Sequence, residues 1–206
     1  MIDLQEQLTA IRERLNGMEE ETEGVLRRAI RNAGTSIRKS MINEARERYA
    51  VIDKKLLKSN ALRVTQQKNA MSVTLRSKGR PNDLAKFEHA PNPGGKTPVS
   101  ARVLAQNAMK QISGTPKPFV VEMRNGHVAI MRRVPGETYK SGMAYAARKM
   151  LGWDLTRIES LYTISTPQMF SSDDTIDAAR HEFMDVLPGK IEQQIAKLLK
   201  KKGTTK

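Results

Sequence analysis

The alternation of apolar and polar residues separates helical ends from a strand-rich middle. Leu4, Leu8, Ile11, Leu15 and Met18 recur at spacings of four and three, which places them on one helical face with heptad character. Gly17 and Gly24 weaken that helix beside the acidic Glu19-Glu20-Glu21 run. A second stripe passes through Val25, Leu26, Ala29, Ile30, Ala33, Ile37, Met41 and Ala45, with Arg27, Arg28, Arg31, Arg38 and Lys39 largely off it. It predicts an amphipathic helix ending near Tyr49, with Gly34 a tolerated weak point.

Beyond Asp53 the period shortens. The basic segment Lys54-Lys55-Leu56-Leu57-Lys58 reads as a turn or short helix. Leu62 and Val64 then alternate with Arg63, and Met71, Val73 and Leu75 alternate with Ser72 and Thr74, which is the strand pattern. Lys78 to Asp83 reads as a turn and Leu84 to His89 as a further short strand. Residues 90–117 are rich in Pro and Gly, carry Lys96, Arg102, Lys110 and Lys117, and contain no acid. They are expected to form an extended arm ordered against a neighbour, or a flexible loop in the isolated chain.

The strongest local signal lies at 118–133. Two apolar-rich arms flank Asn125-Gly126, the pair that favours a type I′ hairpin turn. A two-residue loop sets Met123 opposite Val128, Val121 opposite Ile130 and Phe119 opposite Arg132 on the core face. It sets Arg124 opposite His127, Glu122 opposite Ala129 and Val120 opposite Met131 on the other. Pro135-Gly136 then marks a turn, residues 139–150 are basic and irregular, and Leu155 to Ser165 is expected to be a last strand. Ser171 and Asp174 suggest a helix start. A stripe follows through Ile176, Ala179, Phe183, Val186 and Leu187, is interrupted at Pro188-Gly189, and resumes at Ile191, Ile195, Leu198 and Leu199.

The expected fold is therefore α+β: a long N-terminal helix, an antiparallel sheet centred on the hairpin 118–133, and a C-terminal helix pair. The expected organisation is a helical segment 1–50, a β-rich core 51–170 containing the loop 90–117, and terminal helices 171–206, all in one domain.

Charge adds segregation to this picture. The 206 residues carry a formal net charge of +14. Residues 1–24 and 151–189 are each net −5, whereas residues 25–90 are net +11, residues 91–150 net +8 and residues 190–206 net +5. A basic middle between acidic segments suits nucleic acid or contact between copies of the chain. With no Cys there is no disulfide, thiolate metal site or Cys nucleophile, and a cytoplasmic chain fits. No apolar run is long enough to span a membrane, and Asp3 and Glu6 interrupt any signal core.

Candidate chemistry is sparse. His89, His127 and His181 have no ligating neighbour at a metal-binding spacing, and Pro93-Gly94-Gly95-Lys96-Thr97 lacks the first glycine and the context of a phosphate loop. Glu122 and Glu137 are the only acids between residues 89 and 153, so no carboxylate pair serves acid–base work. No catalytic residue, metal or cofactor is expected. Lys54, Lys55, Lys58, Arg63, Lys68, Arg76, Lys78 and Arg80 form a basic zone with little aromatic interleaving, suited to sequence-independent phosphate contact.

The ordered motifs resemble the minor tail protein Z family of long-tailed phages, which includes lambda-type tail-completion proteins. The matching pieces are the helical N-terminus ending at Arg48-Tyr49-Ala50, and Val51 to Lys58 leading into Leu62-Arg63-Val64. They continue with Met71-Ser72-Val73, then Pro118-Phe119 with Met123 to His127 and Ile130 to Arg133, then Ile158 to Pro167, and Leu187-Pro188. The Pro/Gly-rich loop 90–117 and the acidic first helix depart from the pattern. The resemblance implies a virion protein, assembled in the host cytoplasm, at the head-proximal end of the tail. It implies a homo-oligomeric ring, commonly a hexamer, that meets tail or neck proteins and encircles the DNA. Arg124, His127, Arg132, Arg133, Lys54, Lys55, Lys58, Arg76, Lys78 and Arg80 are the expected subunit or DNA-channel contacts. The alternative from the residues alone is a sequence-independent nucleic-acid-binding protein using the basic 54–80 zone.

Overall fold

The computed structural model describes Thr9, Glu13, residues 19–68 and residues 70–203. The expected stripe from Leu4 to Met18 lies outside the described residues, apart from the helical Thr9 and Glu13 within its span. The fold is α+β, with a long N-terminal helix, small antiparallel sheets and C-terminal helices. The chain divides into two compact units, one of residues 1–45, 57–78 and 167–206, the other of residues 46–56 and 79–166.

The first unit is built on helix packing. Helix α1 (Glu19–Arg48) buries Val25, Leu26, Ala29, Ile30, Ala33, Ile37, Met41 and Ala45, the whole second stripe. Part of that stripe meets Leu187, Ile191 and Ile195 of the last helix, Asp173–Gly203. Each such side chain contributes about 1.5–3 kcal/mol by leaving water. Between the helices in sequence comes a two-stranded antiparallel ribbon, β1 (Arg63–Thr65) and β2 (Thr74–Arg76), close to its expected position. The loop joining its strands brings Val73 onto Gly34, where a Cβ would lie 2.9 Å from a Val73 methyl. Glycine here is a close-approach residue and not merely a weak point in the helix.

The expected break at Pro188 is overturned: one helix runs from Asp173 to Gly203 with Pro188 inside it. The apolar phase explains this. Phe183, Leu187, Ile191 and Ile195 continue at spacings of four through the proline, so both halves share one buried face. That shared burial outweighs the lost N–H of Pro188. The helix start also moves by one residue, because the Ser172 hydroxyl, not Ser171, accepts from the Thr175 N–H.

The second unit is strand-rich. It contains β3 (Pro81–Asp83), a 3₁₀ turn (Leu84–Lys86), β4 (Glu88–Ala90), β5 (Ser100–Arg102), β6 (Lys110–Gln111), β7 (Phe119–Glu122) and β8 (Val128–Thr138). Helix α2 (Gly142–Met150), β9 (Thr156–Ser160) and β10 (Tyr162–Ser165) follow. A short helix α3 (Thr166–Met169) leads to the long terminal helix, here α4. The sheets are β4-β5-β6, β7-β8-β9 and β3-β10, all antiparallel. Ala85, Val99, Val120 and Ile130 form a buried cluster, joined by half-buried Leu84, Ala101, Ile112, Val128 and Leu161.

The hairpin 118–133 forms, but in a register one residue off the expected one. Phe119 pairs with Met131, Val120 with Ile130, Val121 with Ala129 and Glu122 with Val128. Arg124-Asn125-Gly126 is a three-residue loop, closed by Met123 N–H to His127 O and Gly126 N–H to Met123 O, both 2.8 Å. Gly126 takes a positive φ of 77°, and the Asn125 carboxamide accepts from the His127 N–H. This is a type I turn followed by a left-handed glycine, which Asn-Gly serves as well as a type I′ turn. The shift puts Val120 in the core in place of Val121 and sets Met123, not Arg124, opposite His127.

Other expectations also yield to long-range pairing. The 90–117 arm is folded into its own unit: Ser100–Arg102 and Lys110–Gln111 pair, and Val99 is buried. Pro135-Gly136 is a bulge inside β8, not a turn, with Gly136 at φ 74° where the β8–β9 register shifts. The expected strand 155–165 is two strands with different partners, and the expected strand 84–89 is a 3₁₀ turn before β4. Pro81–Asp83, expected within a turn, pairs with β10, and Asn82 donates to Ile164 O at 2.8 Å. Residues 142–150, expected to be irregular, are helical.

Candidate functional site

The expected contact residues are divided between the two units. Lys54, Lys55, Arg80, Arg124, His127, Arg132 and Arg133 belong to the second unit, whereas Lys58, Arg76 and Lys78 belong to the first.

At the hairpin tip Arg124 is exposed, held out by the type I turn. His127 is also exposed, but its Nε2 lies 3.3 Å from Oδ2 of Asp83, whose side chain is nearly buried. The other Asp83 oxygen accepts from the Ala85 N–H and caps the 3₁₀ turn. The pairing of His127 with Arg124 gives way to this contact, which joins residues 44 positions apart. The hydrogen bond orients the imidazole and ties the hairpin end to the β3 corner.

Arg132 and Arg133 each have an acidic partner within the chain. Arg132 lies opposite Glu159 and binds it at 2.7 Å, while Arg133 pairs with Asp154 and Arg157 with Glu137. All are partly exposed, so each pair contributes at most about 1 kcal/mol. Arg132–Glu159 and Arg157–Glu137 lace β8 to β9, and Arg133–Asp154 ties β8 to the turn before β9.

The β1–β2 ribbon presents the opposite situation. Val64 and Leu75 face inward together, and Arg63 sits directly opposite Arg76 on the exposed side. Like charges in that position are destabilising, and among the described residues neither has an ion-pair partner. An anion placed between them would relieve the repulsion. Lys78 and Lys58 are exposed in the same unit.

Two further features escaped the reading from sequence. The first is α2 with the turn after it. No residue of this nine-residue helix is buried. Met143 is 91%, Met150 80%, Leu151 50% and Trp153 61% exposed. Gly142 and Gly152, at φ 85° and 62°, carry the chain into and out of the excursion. Arg148 and Lys149 stack on Tyr139 and Tyr145 at 5.2 and 5.5 Å from the ring centres. Asp154 fastens the base: its Oδ1 accepts from the Thr156 N–H and hydroxyl, and its backbone oxygen from Arg148. Those Thr156 hydrogen bonds, with Arg133 and Arg148 nearby, hold the Asp154 carboxyl below its ordinary pKa. The available signal is the single Trp directly after Gly152; without a core-facing stripe the segment does not read as a helix.

The second is a groove of about 740 Å³ in the first unit, with Met41, Leu75, Phe170 and Phe183 among its predominantly apolar lining. It lies among α1, the ribbon and α4.

No family model, curated protein or solved structure matches this chain.

Among the described residues no group of three or more His, Asp or Glu is placed to hold a metal ion. No described helix is long and apolar enough to cross a membrane. What the arrangement offers is surface: an apolar, basic projection, an apolar groove and a doubly cationic ribbon.

Proposed function

We propose that the chain is a structural virion protein that completes the head-proximal end of a phage tail, assembling as a ring, with hexamer the expected order, around the DNA channel. The reading rests on the ordered motifs that resemble the minor tail protein Z family. One structural observation supports assembly: helix α2 buries none of its residues while Met143, Met150, Leu151 and Trp153 stand exposed about it. Apolar surface of this kind signals a docking partner. Neighbouring tail or neck proteins complete the partner set. Electron microscopy and sedimentation of the full chain test the reading. Closed rings are the expected result, and a chain that stays monomeric at its highest soluble concentration overturns it.

A second reading, sequence-independent nucleic-acid binding, draws on the Arg63–Arg76 pair. Under it, binding to duplex DNA weakens steeply with salt, with a log–log slope of about −0.9 per phosphate engaged. Arg76→Ala then reduces that slope by about one. A salt-insensitive or undetectable affinity removes this reading and leaves the first intact.

A further inference from the structure

We propose that α2 and the following turn of one copy dock in the apolar groove of the first unit of a neighbouring copy. The inference rests on the assembly reading and names the contact by which assembly occurs.

The projecting side has the composition of an interface anchor: one Trp with two Met and a Leu, rimmed by Lys140, Arg148 and Lys149. Its apolar residues are not enclosed: Met143 is 91% exposed. The receiving side is the approximately 740 Å³ groove, a size within the range of well-formed binding sites. Its rim is acidic. Ser171 and Ile176 line the groove, and between them in sequence stand the exposed Asp173 and Asp174, while Arg180, the charged residue of the lining, is paired with Asp177 at 2.9 Å. Residues 139–153 carry three basic groups and no acid. The two surfaces differ, so each copy offers one of each, and the contact is head-to-tail. Such a contact propagates and closes into a ring when its rotation permits. The competing occupant is the segment 1–18, which has an apolar stripe through Leu4, Leu8, Ile11 and Leu15 but a net charge of −1, where residues 139–153 carry +3.

The single Trp of the chain is both the proposed anchor and a reporter. In the full chain, rising concentration is expected to move Trp153 emission to shorter wavelength in step with assembly seen by sedimentation. Trp153→Ala, a change at an exposed position, is expected to weaken association about thirtyfold or more without altering the thermal melt. Ala179→Phe fills the groove from the other side and is expected to leave Trp153 emission unshifted and the chain dissociated. If Trp153→Ala assembles as the parent does, the inference is overturned while the assembly reading stands. Failure of the parent chain to assemble overturns both. Assembly lost on removing residues 1–18 but kept in Trp153→Ala assigns the groove to the N-terminal segment and overturns the inference. An emission shift seen only with anionic phospholipid vesicles makes α2 a membrane contact, which also overturns it.

Discussion

Helix α1 buries Val25, Leu26, Ala29, Ile30, Ala33, Ile37, Met41, Ile42 and Ala45, whereas helix α2 buries nothing. Both contain small and apolar residues, and both end in basic side chains suited to the helix dipole. The difference is what lies opposite. The face of α1 has a partner within the chain, Leu187, Ile191 and Ile195 of α4. The apolar residues on and after α2 have water. A helix shorter than about twelve residues is marginal on its own, so α2 depends on its base. That base is polar: Asp154 gripping Thr156, Arg133 and Arg148. One helix is therefore held by burial and the other by a hydrogen-bonded foot.

The sharpest way to break this comparison is to truncate a side chain in each helix. Leu26 is 1% exposed, so Leu26→Ala is expected to cost about 2–5 kcal/mol from lost burial and the cavity left behind. Met143→Ala is expected to stay within about 0.5 kcal/mol, because no protein atoms enclose its side chain. Equilibrium urea unfolding of both variants measures the contrast. Similar losses in the two would show that α2 is part of a core after all.

A subtler test uses Gly34, where α1 is approached by the ribbon. Helix propensity alone favours Gly34→Ala by up to about 1 kcal/mol. The added Cβ, however, would meet both Val73 methyls at 2.9 and 3.0 Å. Valine is stiff about χ1, so relief requires the loop to move, and overpacking of this sort costs about 1–3 kcal/mol. Gly34→Ala is expected to be net destabilising by about 1 kcal/mol. Adding Val73→Ala is expected to recover part of that loss, because the clash then disappears. Thermal melts of the two single variants and the double variant give the coupling directly.

The same contrast explains which parts were legible beforehand. The α1 stripe could be read residue by residue because its partner imposes a single period of 3.6 over many turns. The α4 stripe was equally readable, and only the weight given to Pro188 led to a break the apolar phase does not support. In the strand-rich unit the decisive contacts are remote. Nothing local tells that Asp83 reaches His127, that Asn82 reaches the β10 backbone, or that Val99 is buried from within a Pro/Gly-rich stretch. The hairpin shows the limit most clearly. Asn-Gly fixed the turn's place, but two turn types accept that pair, and the choice between them moves the first arm to the other face, Val120 replacing Val121 in the core while Ile130 keeps its place. Of the expected contact residues, the sequence marked Arg132 and Arg133 as basic but could not show that Glu159 and Asp154 already hold them. The ribbon's Arg63–Arg76 opposition likewise needs the register, which alternation alone does not supply.

The smallest effect expected is at the foot of α2, and its sign is fixed. Asp154 is exposed, and its carboxyl titrates below the ordinary aspartate range, chiefly because the Thr156 N–H and hydroxyl donate to it and secondarily because Arg133 and Arg148 are near. A folded-state pKa below the unfolded value means that the charged form favours the folded turn. That contribution is fully present above the ordinary value, near pH 4, and is lost as pH falls through the depressed one. Acidification below about pH 4 is therefore expected to loosen α2 before it disturbs α1, whose core holds no carboxylate among its buried apolar residues. Asp154→Asn retains an oxygen for Thr156 while removing the charge, and is expected to abolish the pH dependence at neutral-pH order little changed. Asp154→Ala removes the acceptor as well and is expected to loosen the turn at every pH. Backbone amide signals of Thr156 and the Trp153 indole, followed by NMR from pH 6 to 3, separate these outcomes. A Thr156 amide that titrates identically in the parent chain and in Asp154→Asn would show that another group governs the turn.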